Sequence, residues 1–268
     1  MNIRLSAPFR LLIAALLALS LQACATRSPE LGTSAPSDAS SAAWQAYQGY
    51  ASARASDHEP YRLSGSLRYG SQGDTRRVET LLWGNGYLPV RLDVMAGIGA
   101  LVARIQETQD SFTAYAPNEN KAIVHNGPQR VQLNFGRPVP FSLRDFSSLM
   151  RGRFHEVFGA AEGLNPRTLP NGDIAFTLSG GVLPGTLELR PDGLPVRWSA
   201  DKGWVMDITY DGGNPPLPYK FKLTHPDGYS AILLVKDRQK PDAKFRDDQL
   251  ALELPAGTII EPIKKGGN

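Results

Sequence analysis

The chain has 268 residues, with 29 basic and 26 acidic side chains and a formal net charge of +3. Two of the basic residues, Arg4 and Arg10, lie in a segment that we expect to be removed, and the remaining balance of +1 does not favour nucleic-acid binding. The composition, 41% hydrophobic with 26 glycines and 21 prolines, is typical of a globular protein of short strands and turns, and the single cysteine excludes an internal disulfide.

The amino-terminal segment has the pattern of a bacterial lipoprotein signal. Leu11–Leu19 is an unbroken apolar run, too short to cross about 30 Å of hydrocarbon as a helix but long enough for a signal-peptide core. The following Leu21-Gln22-Ala23-Cys24 resembles a lipobox. That resemblance implies that residues 1–23 are cleaved and that Cys24 is lipidated; the alternative is an ordinary secretory peptide with an incidental cysteine. Ala25 follows the cysteine where Asp would resemble an inner-membrane retention signal, which favours the periplasmic face of the outer membrane.

The segment after the cysteine predicts a tether and then a helix. Residues 24–41 hold the lipidated cysteine and are rich in Ser, Ala, Thr and Pro, so we expect them to stay flexible. Aromatic residues recur at helical spacing between residues 42 and 55, with Ser40 or Ser41 as the cap. The further divisions that we expect are one domain at 42–260 and a flexible tail at 261–268.

The domain itself alternates between short strands and turns. From Tyr61 to Tyr69, apolar residues occupy every second position, which is typical of a half-buried strand. One helix interrupts the strands: Ser142 and Asp145 match a capping pattern at its start and Gly152 marks its stop, with a further turn at 154–158. The remaining strand candidates are 77–83, 90–94, 100–105, 112–116, 121–125, 173–179, 185–189, 195–199, 204–210, 219–225 and 229–236.

These elements predict one continuous sheet. Asn171-Gly172, Asp192-Gly193 and Asp227-Gly228 are hairpin signals between strand candidates. A long antiparallel sheet must curl, close or have its edges covered. We therefore expect a mainly β fold with a few helices, in which a strongly curved antiparallel sheet of about 11 strands, an incomplete β-barrel, is covered by helices on its concave side and leaves a pocket between the layers.

Several stretches together resemble the LolA/LolB family, which comprises a periplasmic carrier of lipoproteins and their outer-membrane receptor. A lipobox and a Trp-bearing helix precede a run of strands, as in the receptor. The stretches that carry the resemblance are Arg62–Leu67, Leu82-Trp83, Arg91–Gly99, Leu143–Gly152, Gly203–Tyr210, Leu217–Leu223 and Leu254–Gly257. One difference is the loop Ala96-Gly97-Ile98-Gly99, which lacks the proline of the receptor's Gly-Pro-Leu-Gly.

The resemblance implies a receptor that takes acylated proteins from a soluble, LolA-like periplasmic carrier and is held on the membrane by its own lipid anchor. Because each buried methylene contributes about 0.8 kcal/mol, such a receptor needs an apolar cavity for acyl chains and no nucleophile. The residues expected to line that cavity, or else to fill a core, are Leu63, Leu67, Leu81, Trp83, Leu92, Val94, Phe146, Leu149 and Trp204. By the same resemblance the loop of Met95, Gly97, Ile98 and Gly99 inserts into the membrane, with Ile98 leading; the alternative is a buried turn.

The sequence favours binding over catalysis. Its four histidines, His58, His125, His155 and His225, have no metal-ligand spacing, and no Gly-x-Ser-x-Gly motif is present. We therefore expect no enzyme activity, no metal and no cofactor. Two alternatives to the receptor stay open: a lipoprotein of the same fold that carries another lipid or amphiphile, and a structural envelope lipoprotein that holds a protein partner.

Overall fold

One open sheet dominates the fold. The computed structural model describes residues 38–55, 59–158, 162–201 and 203–263. Within these ranges the helices are α1 (Asp38–Ala55), α2 (Leu143–Arg151), α3 (Phe154–Phe158) and α4 (Asp247–Leu250), with a 3-10 turn at Pro117–Glu119. The strands are β1 (Pro60–Ser71), β2 (Asp74–Asn85), β3 (Val90–Ala96), β4 (Ala100–Glu107), β5 (Ser111–Ala116), β6 (Lys121–Asn126), β7 (Gln132–Asn134), β8 (Pro138–Ser142), β9 (Glu162–Thr168), β10 (Ile174–Ser179), β11 (Gly185–Leu189), β12 (Pro195–Ser199), β13 (Val205–Tyr210), β14 (Pro218–Thr224), β15 (Ser230–Gln239) and β16 (Ile259–Pro262).

The sheet curves around α2. Its fourteen described strands run in the order β16-β6-β5-β4-β3-β2-β1-β15-β14-β13-β12-β11-β10-β9, and β7 and β8 form a separate hairpin. Helix α2 contacts β3 and β4 on one side and β14 on the other. In a flat sheet β4 and β14 would lie about 24 Å apart, at roughly 4.8 Å per strand, whereas a helix with its side chains is about 10–12 Å wide. The sheet must therefore bend, and α2 lies on its concave side.

The strand register assigns the two faces of the sheet. Leu63 and Leu67 of β1 pair with Leu82 and Val78 of β2, and all four side chains are buried. This row of buried side chains continues into β3, where Leu92 pairs with Leu82. The concave face is thus apolar and faces the helices, while the intervening residues of each strand point to the convex face.

Helix α2 begins and ends as the sequence predicted. The Ser142 hydroxyl accepts a hydrogen bond from the backbone N–H of Asp145 (3.3 Å), and the Asp145 carboxylate accepts one from the backbone N–H of Ser142 (2.9 Å), which completes a capping box. Gly152 ends the helix with a φ of +74°. All nine residues of α2 are buried, including its charged ones.

The structure corrects other details of the prediction. Helix α1 begins at Asp38, so Ser40 and Ser41 lie in its first turn instead of capping it, and the last four residues of the predicted tether are helical. The large sheet has fourteen described strands instead of the predicted 11 or so. The edge strands β9 and β16 were not predicted, because each contains a proline and shows no clear alternation. All three predicted hairpins are present. The signal peptide, Cys24 and residues 264–268 of the tail lie outside the described residues.

Candidate functional site

An apolar cavity lies between the concave face of the sheet and the layer that covers it. Its volume is about 50 Å³, and every lining residue is apolar. The sheet contributes Leu67, Met206, Phe221, Leu223, Ala231 and Leu233, and the covering layer contributes Phe135, Val139, Phe141, Phe146 and Leu149. An apolar cavity of about 150 Å³ takes up benzene, so a longer hydrocarbon fits only if side chains of the covering layer move.

Buried ion pairs hold the first turn of α2 over the cavity. The Nε of Arg144 donates to Oε1 of Glu107, at the end of β4, over 2.5 Å, and the backbone N–H of Arg144 donates to Oε2 over 2.7 Å. The buried Asp145 carboxylate pairs with Nη1 of Arg130, whose side chain is partly exposed. Burial raises the pKa of Glu107, although the Arg144 guanidinium acts in the opposite direction. The charges of this turn are thus matched within the protein.

The last turn of α2 is tied to the ends of neighbouring strands. Nη1 of Arg151 donates to the carbonyl of Gly86 (2.7 Å), and its guanidinium lies 4.1 Å from the centre of the Tyr61 ring. The Tyr61 hydroxyl is hydrogen-bonded to Ser147 (2.7 Å), and burial raises the pKa of Tyr61. The polar face of α2 is therefore fixed at both ends, which leaves its apolar face towards the cavity.

A polar depression of about 300 Å³ opens outward next to the cavity. We call it the mouth; it is lined by Tyr69, Gly70, Ser71, Asp74, Arg76, Phe135, Gly136, Arg137, Asp227 and Tyr229. Arg137 forms an ion pair with Asp227, which also receives a hydrogen bond from His225 Nδ1 over 2.7 Å. The Tyr229 hydroxyl donates to the Phe135 carbonyl (2.6 Å), and burial raises the pKa of Tyr229 to about 12. The tyrosine therefore remains a donor at neutral pH.

The loop between β3 and β4 presents a single isoleucine to solvent. Ala96 and Ala100 pair at its base, and Gly97 and Gly99 have φ values of +58° and +97°, which glycine adopts without strain. Ile98 between them is fully exposed. The alternative of a buried turn is therefore wrong. Met95 does not accompany Ile98, because it lies half-buried within β3 on the convex face.

Solved structures share this architecture. A LolA superfamily protein, NE2245 from Nitrosomonas europaea, superimposes with a TM-score of 0.55 at 10% identity, over 78% of this chain and 97% of that one. A DUF1329 family protein from Desulfovibrio piger gives 0.55 at 9% identity over 80% and 98% of the two chains. The chain has a LolA/LolB-like fold. A domain assigned to an outer membrane lipoprotein-sorting protein of Vibrio parahaemolyticus also matches, with a TM-score of 0.51 at 9% identity over 77% and 95%. No protein-family model and no curated protein sequence matches the chain.

Three of the nine predicted residues line the cavity of this LolA/LolB-like fold. They are Leu67 on the sheet and Phe146 and Leu149 on α2. Leu63, Leu92 and Val94 also lie on the concave face, but they are packed in the hydrophobic core and do not border the cavity.

Two other predictions for the cavity, Leu81 and Trp83, are wrong. Leu81 and Trp83 pair with Ser64 and Arg62, so they point to the convex face, opposite to the helices. There they border a separate surface depression beside Phe245. Trp204, which directly precedes β13, packs half-buried against the core beside His225 (4.8 Å between ring centres) and Tyr229 (5.8 Å), and does not border the cavity.

The β7–β8 hairpin that covers the cavity was not predicted from the sequence. Phe135, Val139 and Phe141 of the β7–β8 region form much of the outer wall of the cavity. The alternation of Val139 and Phe141 is the signal that could have indicated them, but it spans only three residues. Within the described part of the chain, no three His, Cys, Asp or Glu side chains cluster to hold a metal ion. None of the helices there is both long and apolar enough to pass through a membrane.

Proposed function

We propose that the protein is a lipoprotein anchored at the periplasmic face of the outer membrane, which binds acyl chains of other lipoproteins and helps to insert them there. The observation that carries this proposal is the wholly apolar cavity beneath α2 in a LolA/LolB-like fold. A lining without polar groups favours hydrocarbon, because each methylene moved from water contributes about 0.8 kcal/mol while an unpaired polar group would lose its hydrogen bonds to water.

Acyl chains gain room when the covering layer moves. Helix α2 contributes Phe146 and Leu149 to the lining, and side-chain hydrogen bonds and ion pairs fix its ends. Because both ends of α2 are held, the room comes from its lining side chains and from the β7–β8 hairpin, which contributes Phe135, Val139 and Phe141 to the same wall. When these move, the apolar side chains of the sheet become the floor of a longer groove. The process involves binding and release only, with no covalent step.

The exposed loop supplies a second contact with the membrane. Ile98 projects from the β3–β4 loop, and burying one such side chain contributes about 1.5–3 kcal/mol. That is enough for transient contact with a bilayer and too little for permanent attachment. The permanent attachment in this proposal is the acylated Cys24, since several acyl chains hold a protein on a bilayer whereas one does so weakly. A soluble, LolA-like carrier is the partner that would deliver the cargo.

The small volume of the cavity favours a second candidate. A space of about 50 Å³ is closer to the needs of one tail than to those of a triacylated lipoprotein. A single-tailed lipid or other amphiphile needs less movement of the covering layer than a triacylated lipoprotein does, so a carrier of such a molecule is the second candidate. Both candidates share the binding of an acyl chain and differ in the cargo attached to it.

Two measurements test the proposal. The chain from residue 24 onward carrying Cys24→Ala, which lacks the apolar segment 11–19 and cannot be acylated, is titrated with cis-parinaric acid, a straight-chain fluorescent fatty acid. Saturable binding is expected. If the fatty acid does not bind, the protein has no acyl-chain site, and a structural role in holding a protein partner is the function that remains. Depletion of the protein from cells is expected to leave other lipoproteins outside the outer membrane. Normal sorting together with binding of the fatty acid overturns the receptor role in favour of the second candidate.

A further inference from the structure

Phe135 separates the apolar cavity from the mouth. Of all the described residues, it alone lines both. On the inner side its ring lies 6.3 Å from that of Phe146, and on the outer side 5.8 Å from that of Tyr69. A hydrocarbon tail that passes from the mouth into the cavity must displace this ring.

The position of Phe135 allows such a displacement. It occupies the tip of the β7–β8 hairpin, which is not hydrogen-bonded into the large sheet, beside Gly136 with a φ of +86°. The base of the hairpin is anchored by buried Leu133 and Val139. The tip is held by the hydrogen bond from Tyr229 to the Phe135 carbonyl and by the half-exposed ion pair of Arg137. Since exposed ion pairs are weak, the tip can open while the base stays packed.

A positively charged side chain lies next to the apolar cavity, on the side of the mouth. Along the concave face of the β1–β2 ladder, Leu67 pairs with Val78, then Tyr69 with Arg76, then Ser71 with Asp74. Two residues of a strand span about 7 Å, so successive pairs on this face lie about 7 Å apart along the strands. Arg76 is therefore the first charged residue above the apolar wall on this ladder, and it has no ion pair or hydrogen bond among the described residues. Asp74 lies a further step outward.

We propose that the mouth and the cavity form one binding site for an amphiphile with a single alkyl tail and an anionic head, with Phe135 as its gate and Arg76 as the partner of the head. A tail whose first methylenes contact Leu67, with the rest of the chain continuing into the groove, has its head level with Arg76. A guanidinium binds carboxylate and phosphate alike through paired hydrogen bonds. Asp227 does not compete for Arg76, because Arg137 and His225 already contact it. The inference rests on the acyl-chain binding of the proposed function.

The head is tested with a matched pair of probes. The chain from residue 24 onward with Cys24→Ala is titrated with cis-parinaric acid and with the corresponding alcohol. We expect the acid to bind about tenfold more tightly, a difference typical of one charge-assisted contact, and we expect Arg76→Gln to abolish that preference. Arg77→Gln is the control, because Arg77 points to the convex face and donates to Ser66 over 3.0 Å. Competition by palmitate and by lysophosphatidic acid distinguishes a carboxylate head from a phosphate head.

The gate is tested by stopped-flow kinetics of the same probes. Phe135→Ala is expected to speed both association and dissociation several-fold, with Phe135→Leu in between; exposed Tyr219→Ala is the control. Melting curves followed by circular dichroism confirm that each variant is folded. If Arg76→Gln keeps the preference for the acid, or both Phe135 variants keep the original rates, the inference is overturned although acyl binding stands. If the unmodified site binds neither probe, the proposed function fails as well.

Discussion

At the scale of single residues, a buried ion pair decides how firmly α2 covers the cavity. Glu107 and Arg144 are both almost fully buried. Removing one partner of such a pair leaves an uncompensated charge, so we expect Glu107→Ala to lower the free energy of unfolding by about 3–5 kcal/mol, measured by urea denaturation. Asp207→Ala is the control: it breaks the exposed pair with Arg197 and should cost less than about 1 kcal/mol. Equal losses in the two variants would contradict the role of the buried Glu107–Arg144 pair in holding α2.

Ile98 allows a test of function without a cost in stability. Its side chain is fully exposed, so Ile98→Glu should leave the melting temperature unchanged. Because a carboxylate resists transfer into a bilayer, the variant should transfer acylated proteins to outer-membrane vesicles more slowly than the unmodified protein does. Ile259→Glu, an exposed isoleucine on the edge strand β16, is the control. Unchanged transfer by Ile98→Glu would remove the loop from the proposed mechanism.

At the scale of elements, α1 depends on a close approach to β9 and β11. A Cβ atom on Gly163 would lie 2.6 Å from the Trp44 ring, closer than atoms can pack. Gly163→Ala should therefore force Trp44 away from Phe176 and lower the free energy of unfolding by about 1–3 kcal/mol. Gly49→Ala has open space around it on the exposed side of α1 and should raise that free energy by about 0.5–1 kcal/mol. Thermal unfolding of the two variants measures both changes in the free energy of unfolding. Changes of the same sign in the two variants would contradict this packing.

Local elements could be predicted from the sequence where the signal lies within a few neighbouring residues. The Ser142–Asp145 capping box and Gly152 fixed the bounds of α2. The Asp192-Gly193 and Asp227-Gly228 turns joined the expected strands. Such signals are short-range, since a cap or a tight turn is formed by residues adjacent in the chain.

The cavity could be predicted only in part, because both faces of β2 are covered. Leu82 packs inward, while Trp83 on the convex face donates to the carbonyl of Gln249 over 3.2 Å, beside buried Leu250. The segment that follows β15 therefore hides apolar residues that alternation alone would assign to the core. The gate residue Phe135 was missed for another reason: β7 has three residues, too few to show a period.

At the scale of the whole molecule, an open sheet of this length needs protection at both edges. β9 carries Pro166 and β16 carries Pro262, and proline cannot donate to another strand. β16 also pairs with β6 after its chain has crossed the convex face, where Asn120 donates to the carbonyl of Gly257 over 3.1 Å. Both edges therefore discourage strand-by-strand pairing with other proteins.

In the proposed function, the lipid anchor determines the membrane on which the protein is located. In the proposed function Cys24 carries several acyl chains, which hold the protein on a bilayer because each buried methylene contributes about 0.8 kcal/mol. Cys24→Ala should therefore remove the protein from the outer-membrane fraction. Ala25→Asp is the matched variant, since it keeps the acylated cysteine and should shift the protein to the inner membrane.

Mass spectrometry of the processed chain checks the same prediction chemically. The unmodified protein should begin at Cys24 and carry the added mass of its acyl groups, whereas the Cys24→Ala protein should carry none. The melting temperature of the two forms should agree, because the residues that build the core begin in α1. A Cys24→Ala protein that still sediments with the outer membrane would show that something other than acyl chains holds it there, and a receptor tethered by lipid would no longer account for its location.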